Sequence, residues 1–176
     1  MQIVVRSAVN ASLALCLAFT TSACTSYELE TRTAPPMGAV PPGVGRICVI
    51  RPHNVASLVP AIVHDNGRLV GMTKGPSYFC YLAEPGYHSI VSRYGDDVDE
   101  RLGTDEIEDV SILVEPNARL FLHHDVSKIM SMSVVWVDPT EANTMIGQCN
   151  YVELVAVPKG ESLPAPNEVL AARRPR

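Results

Sequence analysis

The chain of 176 residues carries 14 basic and 19 acidic side chains, a formal charge of −5, and 47% of its residues are apolar. One domain with a genuine core fits those proportions. The acidic balance argues against nucleic acid as a partner and against electrostatic adhesion to anionic lipid.

The N-terminus stands apart from that core. Residues 1–6 contain one basic side chain, Arg6, and residues 8–20 are largely apolar, with Leu13, Leu15, Leu17 and Phe19. Small residues follow, Thr21-Ser22-Ala23. This pattern predicts a secretory signal peptide over residues 1–23, too short to remain as a spanning helix. Cys24 comes directly after it, in a setting that resembles the bacterial lipobox. The resemblance implies cleavage between Ala23 and Cys24 and a diacylglycerol and palmitate anchor on Cys24, each buried CH₂ contributing about 0.8 kcal/mol. Thr21 stands where that pattern usually has leucine, and ordinary cleavage that leaves Cys24 a plain residue stays open. Thr25 replaces the aspartate that resembles an inner-membrane retention signal, so in a two-membrane cell the expected address is the outer membrane, facing the periplasm. Removing the signal takes away Arg6 and no acid, and the mature chain then has a formal charge of −6.

Residues 24–45 hold Pro35-Pro36 and Pro41-Pro42 with Gly38, Gly43 and Gly45, and read as an extended tether. The first strand covers 46–51. Ile47 and Val49 face one way, Cys48 and Ile50 the other, so it belongs at the centre of a sheet. The next, over 58–64, contains Pro60 and is expected at an edge or at a bulge. Asn66-Gly67 then predicts a type I′ turn into a strand over 69–73, because both residues tolerate positive φ. Lys74-Gly75-Pro76 connects to a strand over 77–83. Tyr78, Cys80 and Leu82 share one of its faces, Phe79 and Tyr81 the other. Pro85-Gly86 has the chemistry of a type II turn and predicts a second hairpin, to 87–94.

Residues 95–109 are acidic, and a calcium loop counted from Asp97 through Asp99 to Glu108 fails where Arg101 and Leu102 stand. A third hairpin is expected from 107–115 to 119–126 around Glu115-Pro116-Asn117-Ala118. His123-His124-Asp125 resembles a metal cluster in sequence only, since neighbours in a strand point to opposite faces; a polar strand end is expected instead. A strand over 130–138 precedes a short helix, with Asp138 as N-cap, Pro139 at N1 and Glu141 at N3. The last strand covers 149–157. Residues 158–176 are Pro-rich and polar, and read as a disordered tail, transiently helical near 168–173.

The expected fold is all-β, an antiparallel β-sandwich or small barrel of about seven to nine strands, spanning 46–157, with one short helix near the C-terminus. Arg51-Pro52, Asp65-Asn66-Gly67 with Val70-Gly71, Ser77-Tyr78-Phe79, and Glu84-Pro85-Gly86 with His88 together resemble an uncharacterised bacterial envelope family, domain of unknown function 2846. The likeness spans roughly residues 46–137. The order of turns is also similar, more loosely, to PEGA-type surface modules. The resemblance implies a small β-rich envelope domain and brings no catalytic residues with it.

Cys48, Cys80 and Cys149 remain in the mature body. An oxidising compartment makes one disulfide plausible, with three pairings open and one thiol left over; three unbonded cysteines buried as small apolar residues are the alternative. The spacing is wrong for zinc, and no metal or cofactor is expected. The function expected is that of a lipid-anchored, non-catalytic envelope module that binds a protein or glycan or serves a structural role. A small apolar ligand or lipid is an alternative occupant. The enzyme alternative is a hydrolase with Cys80 or Ser77 as nucleophile, His88 as base and Asp65 orienting it. Gly75-Pro76-Ser77 lacks the second glycine of a nucleophile elbow, which disfavours that reading.

Overall fold

The computed structural model describes residues 26–35, 37–53, 57–94, 109–128 and 131–173. The expected signal peptide, Cys24 and Thr25, and the acidic stretch over 95–108 lie outside the described residues. The strands are β1 (Glu28–Thr31), β2 (Gly45–Arg51), β3 (Ala61–Asp65), β4 (Arg68–Thr73), β5 (Ser77–Ala83), β6 (Gly86–Tyr94), β7 (Asp109–Val114), β8 (Arg119–Lys128), β9 (Ser131–Val137), β10 (Asn150–Ala156) and β11 (Val169–Leu170); the helix α1 is Pro139–Ile146. They form an all-β sandwich of two sheets, not a closed barrel. The larger sheet runs β1-β10-β5-β2-β8-β9, with β11 on β5, and the smaller runs β4-β3-β6-β7.

The core lies between the sheets. Ile47 and Val49 of β2, Phe79 and Tyr81 of β5, and Leu122 of β8 meet Val63, Val70, Ile90 and Val114 from the smaller sheet. Each aliphatic side chain so buried contributes about 1.5–3 kcal/mol relative to exposure. The second face of β2 is also covered, as its two-sided apolar pattern requires. Cys48 and Ile50 pack with Tyr78, Phe121, Val137 and Ala142, and α1 supplies that lid. Asp138 caps α1 as expected, its Oδ1 accepting from the backbone N–H of Thr140 at 2.8 Å and of Glu141 at 3.2 Å. β2 lies between β5, antiparallel, and β8, parallel, so the large sheet is mixed.

Of the three expected hairpins, the first forms. Asn66 at φ 50° and Gly67 at φ 81° join β3 to β4. The other two turns do something else. Pro85-Gly86 leads from β5 in the large sheet to β6 in the small one, and Glu115–Ala118 leads from β7 back to β8. Turn chemistry specifies a reversal; it does not specify that the two strands pair. Of the two expectations for the Pro60 strand, edge or bulged, the second holds: the register of β3 against β4 shifts between Val63 and His64. Pro60 itself precedes β3, which starts at Ala61 and runs between β4 and β6 at the centre of its sheet, so the missing N–H falls outside the ladder.

Described residues within the expected tether and tail, from Tyr27 to Thr31 and from Glu161 to Arg173, pack against the sandwich. Leu29 of β1 aligns with Leu154 of β10, and Tyr27 and Leu29 pack on Ile62, Leu69 and Met72. The C-terminal stretch crosses the small sheet. Glu161 accepts from Tyr27 at 3.0 Å and Arg93 at 2.9 Å, Glu168 pairs with Arg68 at 2.7 Å, and β11 aligns with Leu82 and Ala83 of β5. Polar, proline-rich composition hides these specific partners. The aliphatic pair Val169-Leu170 buries Leu170, which composition averages miss.

Candidate functional site

Two groups of side chains had chemical promise in the sequence, and the structure places both. Cys80 of β5 is joined to Cys48 of β2, the one realised among three open pairings. Its sulfur is therefore no nucleophile. Cys149 keeps a free thiol, half-buried, whose Sγ donates to the Arg51 carbonyl at 3.4 Å. Burial pushes its pKa up to about 11, so little thiolate forms at neutral pH. Ser77 is 1% exposed; its Oγ donates to the Gly75 carbonyl and accepts from the Lys74 N–H. It opens β5, whereas His88 contacts Glu84, just past the far end of that strand. At about 3.4 Å per residue the two stand roughly 20 Å apart. Serine and histidine are not brought together.

Asp65 and His88 are. Asp65 ends β3, and His88 points inward from β6 toward it; neither side chain is exposed. His88 Nδ1 lies 2.9 and 2.8 Å from the two carboxylate oxygens, and Nε2 lies 2.9 Å from the Glu84 carbonyl. The Tyr81 hydroxyl donates to Asp65 Oδ2 at 3.1 Å. A carboxylate on one side and a carbonyl on the other favour the protonated ring, in which both nitrogens can donate. Burial alone lowers its pKa; the hydrogen bond and charge of Asp65, helped by Glu84, outweigh burial and raise it. Burial and Asp65 hold the Tyr81 hydroxyl well above its ordinary value. Both ring nitrogens of His88 are engaged in buried contacts with Asp65 and Glu84, so neither is presented to a substrate. The group clasps β3, β5 and β6 together where the chain turns from one sheet to the other.

His124 was expected at a polar strand end. It lies mid-strand in β8 and 0% exposed, inside the sandwich, because the alternation of Leu120, Leu122 and His124 carries it inward. Its Nδ1 meets Thr73 Oγ1 at 3.0 Å and its Nε2 meets Ser92 Oγ at 2.6 Å. Burial, then the charge of Arg51 and the proximity of His123, pushes its pKa down to about 3, so the ring is neutral. Arg51 is equally buried, its Nη1 donating to the Val59 carbonyl at 2.9 Å. His123 faces the other way, as adjacent strand residues must, and the two imidazoles share no site.

The cleft is the feature that the sequence did not reveal. β10 runs beside β5 only at Asn150 and Tyr151, then bends away to pair with β1, while β11 rejoins β5 at Leu82. Between these contacts a cleft of about 480 Å³ opens. Val70, Met72, Phe79, Met37 and Leu154 are among its apolar lining residues, and Arg46 and Glu153 bring charge to it. Cys48 and Cys80 are directly opposed with Cα atoms 4.1 Å apart, the spacing of a non-hydrogen-bonded antiparallel pair. The backbone N–H and C=O of Cys80 therefore point away from β2, to the cleft side, where among the described residues no strand aligns with residues 79–81. Among the described residues no helix is long and apolar enough to cross a membrane. No family model and no curated protein matches the chain.

Proposed function

We propose that the protein is an exported, lipid-anchored envelope module that binds a partner and performs no chemistry of its own. The observation that carries this reading is the Cys48–Cys80 bond. Disulfides persist in oxidising compartments, which supports export, and this one takes up the sulfur that a cysteine hydrolase would need. Ser77 and His88, the remaining parts of such a hydrolase, stand apart. In this reading Cys24 holds the diacylglycerol, the domain belongs to the envelope family that the turn sequence resembles, and it faces the periplasm from the outer membrane. An envelope protein or glycan docks at the cleft between β5, β10 and β11, where the Cys80 backbone offers strand-type hydrogen bonds.

Palmitate labelling in cells tests the anchor. Wild type should label and Cys24→Ser should not, and the wild-type precursor should accumulate when the lipoprotein signal peptidase is inhibited. Equal labelling of both proteins, or recovery of wild type from the cytosol with its leader intact, would overturn the reading. A photo-crosslinking residue at Leu82 should capture an envelope component that the same residue at Leu58 does not. The apolar lining of the cleft favours one second reading, a small apolar ligand or lipid, which native mass spectrometry of the purified protein would reveal as co-purified mass.

A further inference from the structure

β5 turns the backbone groups of alternate residues toward the cleft, and the chain meets them at both ends of the strand. Just before β5, the Asn150 N–H donates to the Pro76 carbonyl at 3.2 Å, and just after it the Glu84 N–H donates to the Leu170 carbonyl at 2.8 Å. β10 aligns with β5 at Ser77 and Tyr78, and β11 at Leu82 and Ala83. Cys80 stands between them, and among the described residues no strand meets its N–H and C=O on this side. From Tyr78 to Leu82 is four residue steps, roughly 13 Å. An added strand of more than about four residues would run into β10 or β11.

We propose that the cleft binds a short peptide of about three residues with an apolar side chain, hydrogen-bonded to Cys80 as a missing piece of the large sheet. This rests on the reading of the cleft as the docking site and names its ligand class. The volume of about 480 Å³ lies within the usual range of small-ligand sites, about 300–1,000 Å³. A lipid tail would suit Val70, Met72, Phe79 and Leu154 but leave the Cys80 N–H and C=O without partners. A glycan would satisfy Cys80 but set hydroxyl groups against those apolar side chains. A peptide does both: its own C=O and N–H complete the rung at Cys80, and its side chain takes the apolar contacts. Arg46 and Glu153 supply one charge of each sign, which matches a molecule carrying an ammonium and a carboxylate. The length limit set by β10 and β11 excludes pairing with a long strand, so the ligand is a free peptide or the end of a chain.

The test uses the tag-free protein as the cell processes it, labelled for NMR, with the tripeptide Ala-Leu-Ala as probe. The peptide should bind one to one and slow hydrogen exchange at the Cys80 N–H by at least about tenfold at saturation. Ala-Asp-Ala should bind at least about tenfold more weakly. Ala165 lines the cleft and is exposed, so Ala165→Trp keeps the fold, which far-UV circular dichroism checks, and should weaken binding at least about tenfold. Leu58→Trp, at an exposed residue outside the cleft lining, should bind as wild type does. A glycine tail on one end of the probe separates the sources: retained affinity assigns the ligand to a chain end, lost affinity to a free peptide. No binding at about 1 mM peptide would overturn the proposal, as would binding that leaves Cys80 exchange unchanged. A glycan or fatty acid that slows this exchange where the peptide does not would overturn the peptide class and leave the docking reading standing. That reading fails separately, when the crosslinker at Leu82 captures nothing in cells.

Discussion

Cys48 and Cys80 face each other directly across β2 and β5, Cα to Cα at 4.1 Å, and their sulfurs are bonded at the centre of the large sheet. The bond fixes the register of the two strands from which the rest of that sheet grows. It closes a loop with a sequence separation of 32 residues. Closing a loop of that size stabilises by about 3–4 kcal/mol in the chain-entropy account. Reduction, or the pair Cys48→Ala with Cys80→Ala, should lower the urea unfolding free energy by about that much. Under non-reducing denaturation a thiol reagent should modify Cys149 and spare Cys48 and Cys80.

The clasp at His88 predicts a loss of stability on the alkaline side. Its pKa is raised in the folded protein, so its contribution is complete below the unfolded value of about 6.5 and disappears as pH rises through the folded value. Urea midpoints measured from pH 6 upward should fall, and His88→Gln should flatten that slope. Asp65→Ala, which leaves the buried His88 ring and Tyr81 hydroxyl without their carboxylate partner, should cost about 3–5 kcal/mol at pH 6.

His124 acts in the opposite direction. Its folded pKa is pushed down to about 3, so the folded state excludes a proton that the unfolded chain accepts below about pH 6.5. Stability should drop as pH falls from 6.5 toward 3, by up to about 1.4 kcal/mol per unit from this group. His124→Leu should remove that acid sensitivity in the same urea series, even if its stability at pH 7 is lower through the lost bonds to Thr73 and Ser92.

Gly71 of β4 lies against the ring of Phe79. A Cβ there would sit 2.5–2.7 Å from three ring atoms. Gly71→Ala should destabilise by about 1–3 kcal/mol through overpacking. Gly71→Ala combined with Phe79→Leu should cost less than the two changes summed, which a double-mutant cycle of thermal unfolding measures.

The C-terminal stretch should behave as part of the fold. Leu170 is 5% exposed and packs in the core between the sheets. Leu170→Ala should cost about 2–5 kcal/mol, and trypsin should cut the wild-type chain at Arg173 only slowly, because its backbone N–H is bonded to Tyr87. Cleavage at Arg173 as fast as in an unfolded peptide would contradict this.

What could be read from the sequence followed from local rules. The two-sided apolar pattern of Ile47 to Ile50 placed β2 centrally, Asn66-Gly67 fixed one hairpin, and Asp138-Pro139 started the helix. What escaped was relational. Pro85-Gly86 looks the same whether its strands pair or part, and only the opposing sheet decides which. His124 reads as polar until Thr73 and Ser92 are seen on either side of it. The cleft exists because β10 changes partners from β5 to β1 after Tyr151, a switch with no signature in residues 150–156. The disulfide was legible as a compartment-level expectation, and its pairing was not, since strand register decides it.

The strand that begins at Glu28 changes how a lipid at Cys24 would hold the domain. Were Cys24 lipidated as proposed, four peptide steps, no more than roughly 14 Å, would separate it from β1 at Glu28, in place of a tether running over 24–45. A module held that way would stay within that distance of the bilayer. Its reach from the membrane would then be little more than the breadth of the sandwich itself, and any ligand would have to come to it.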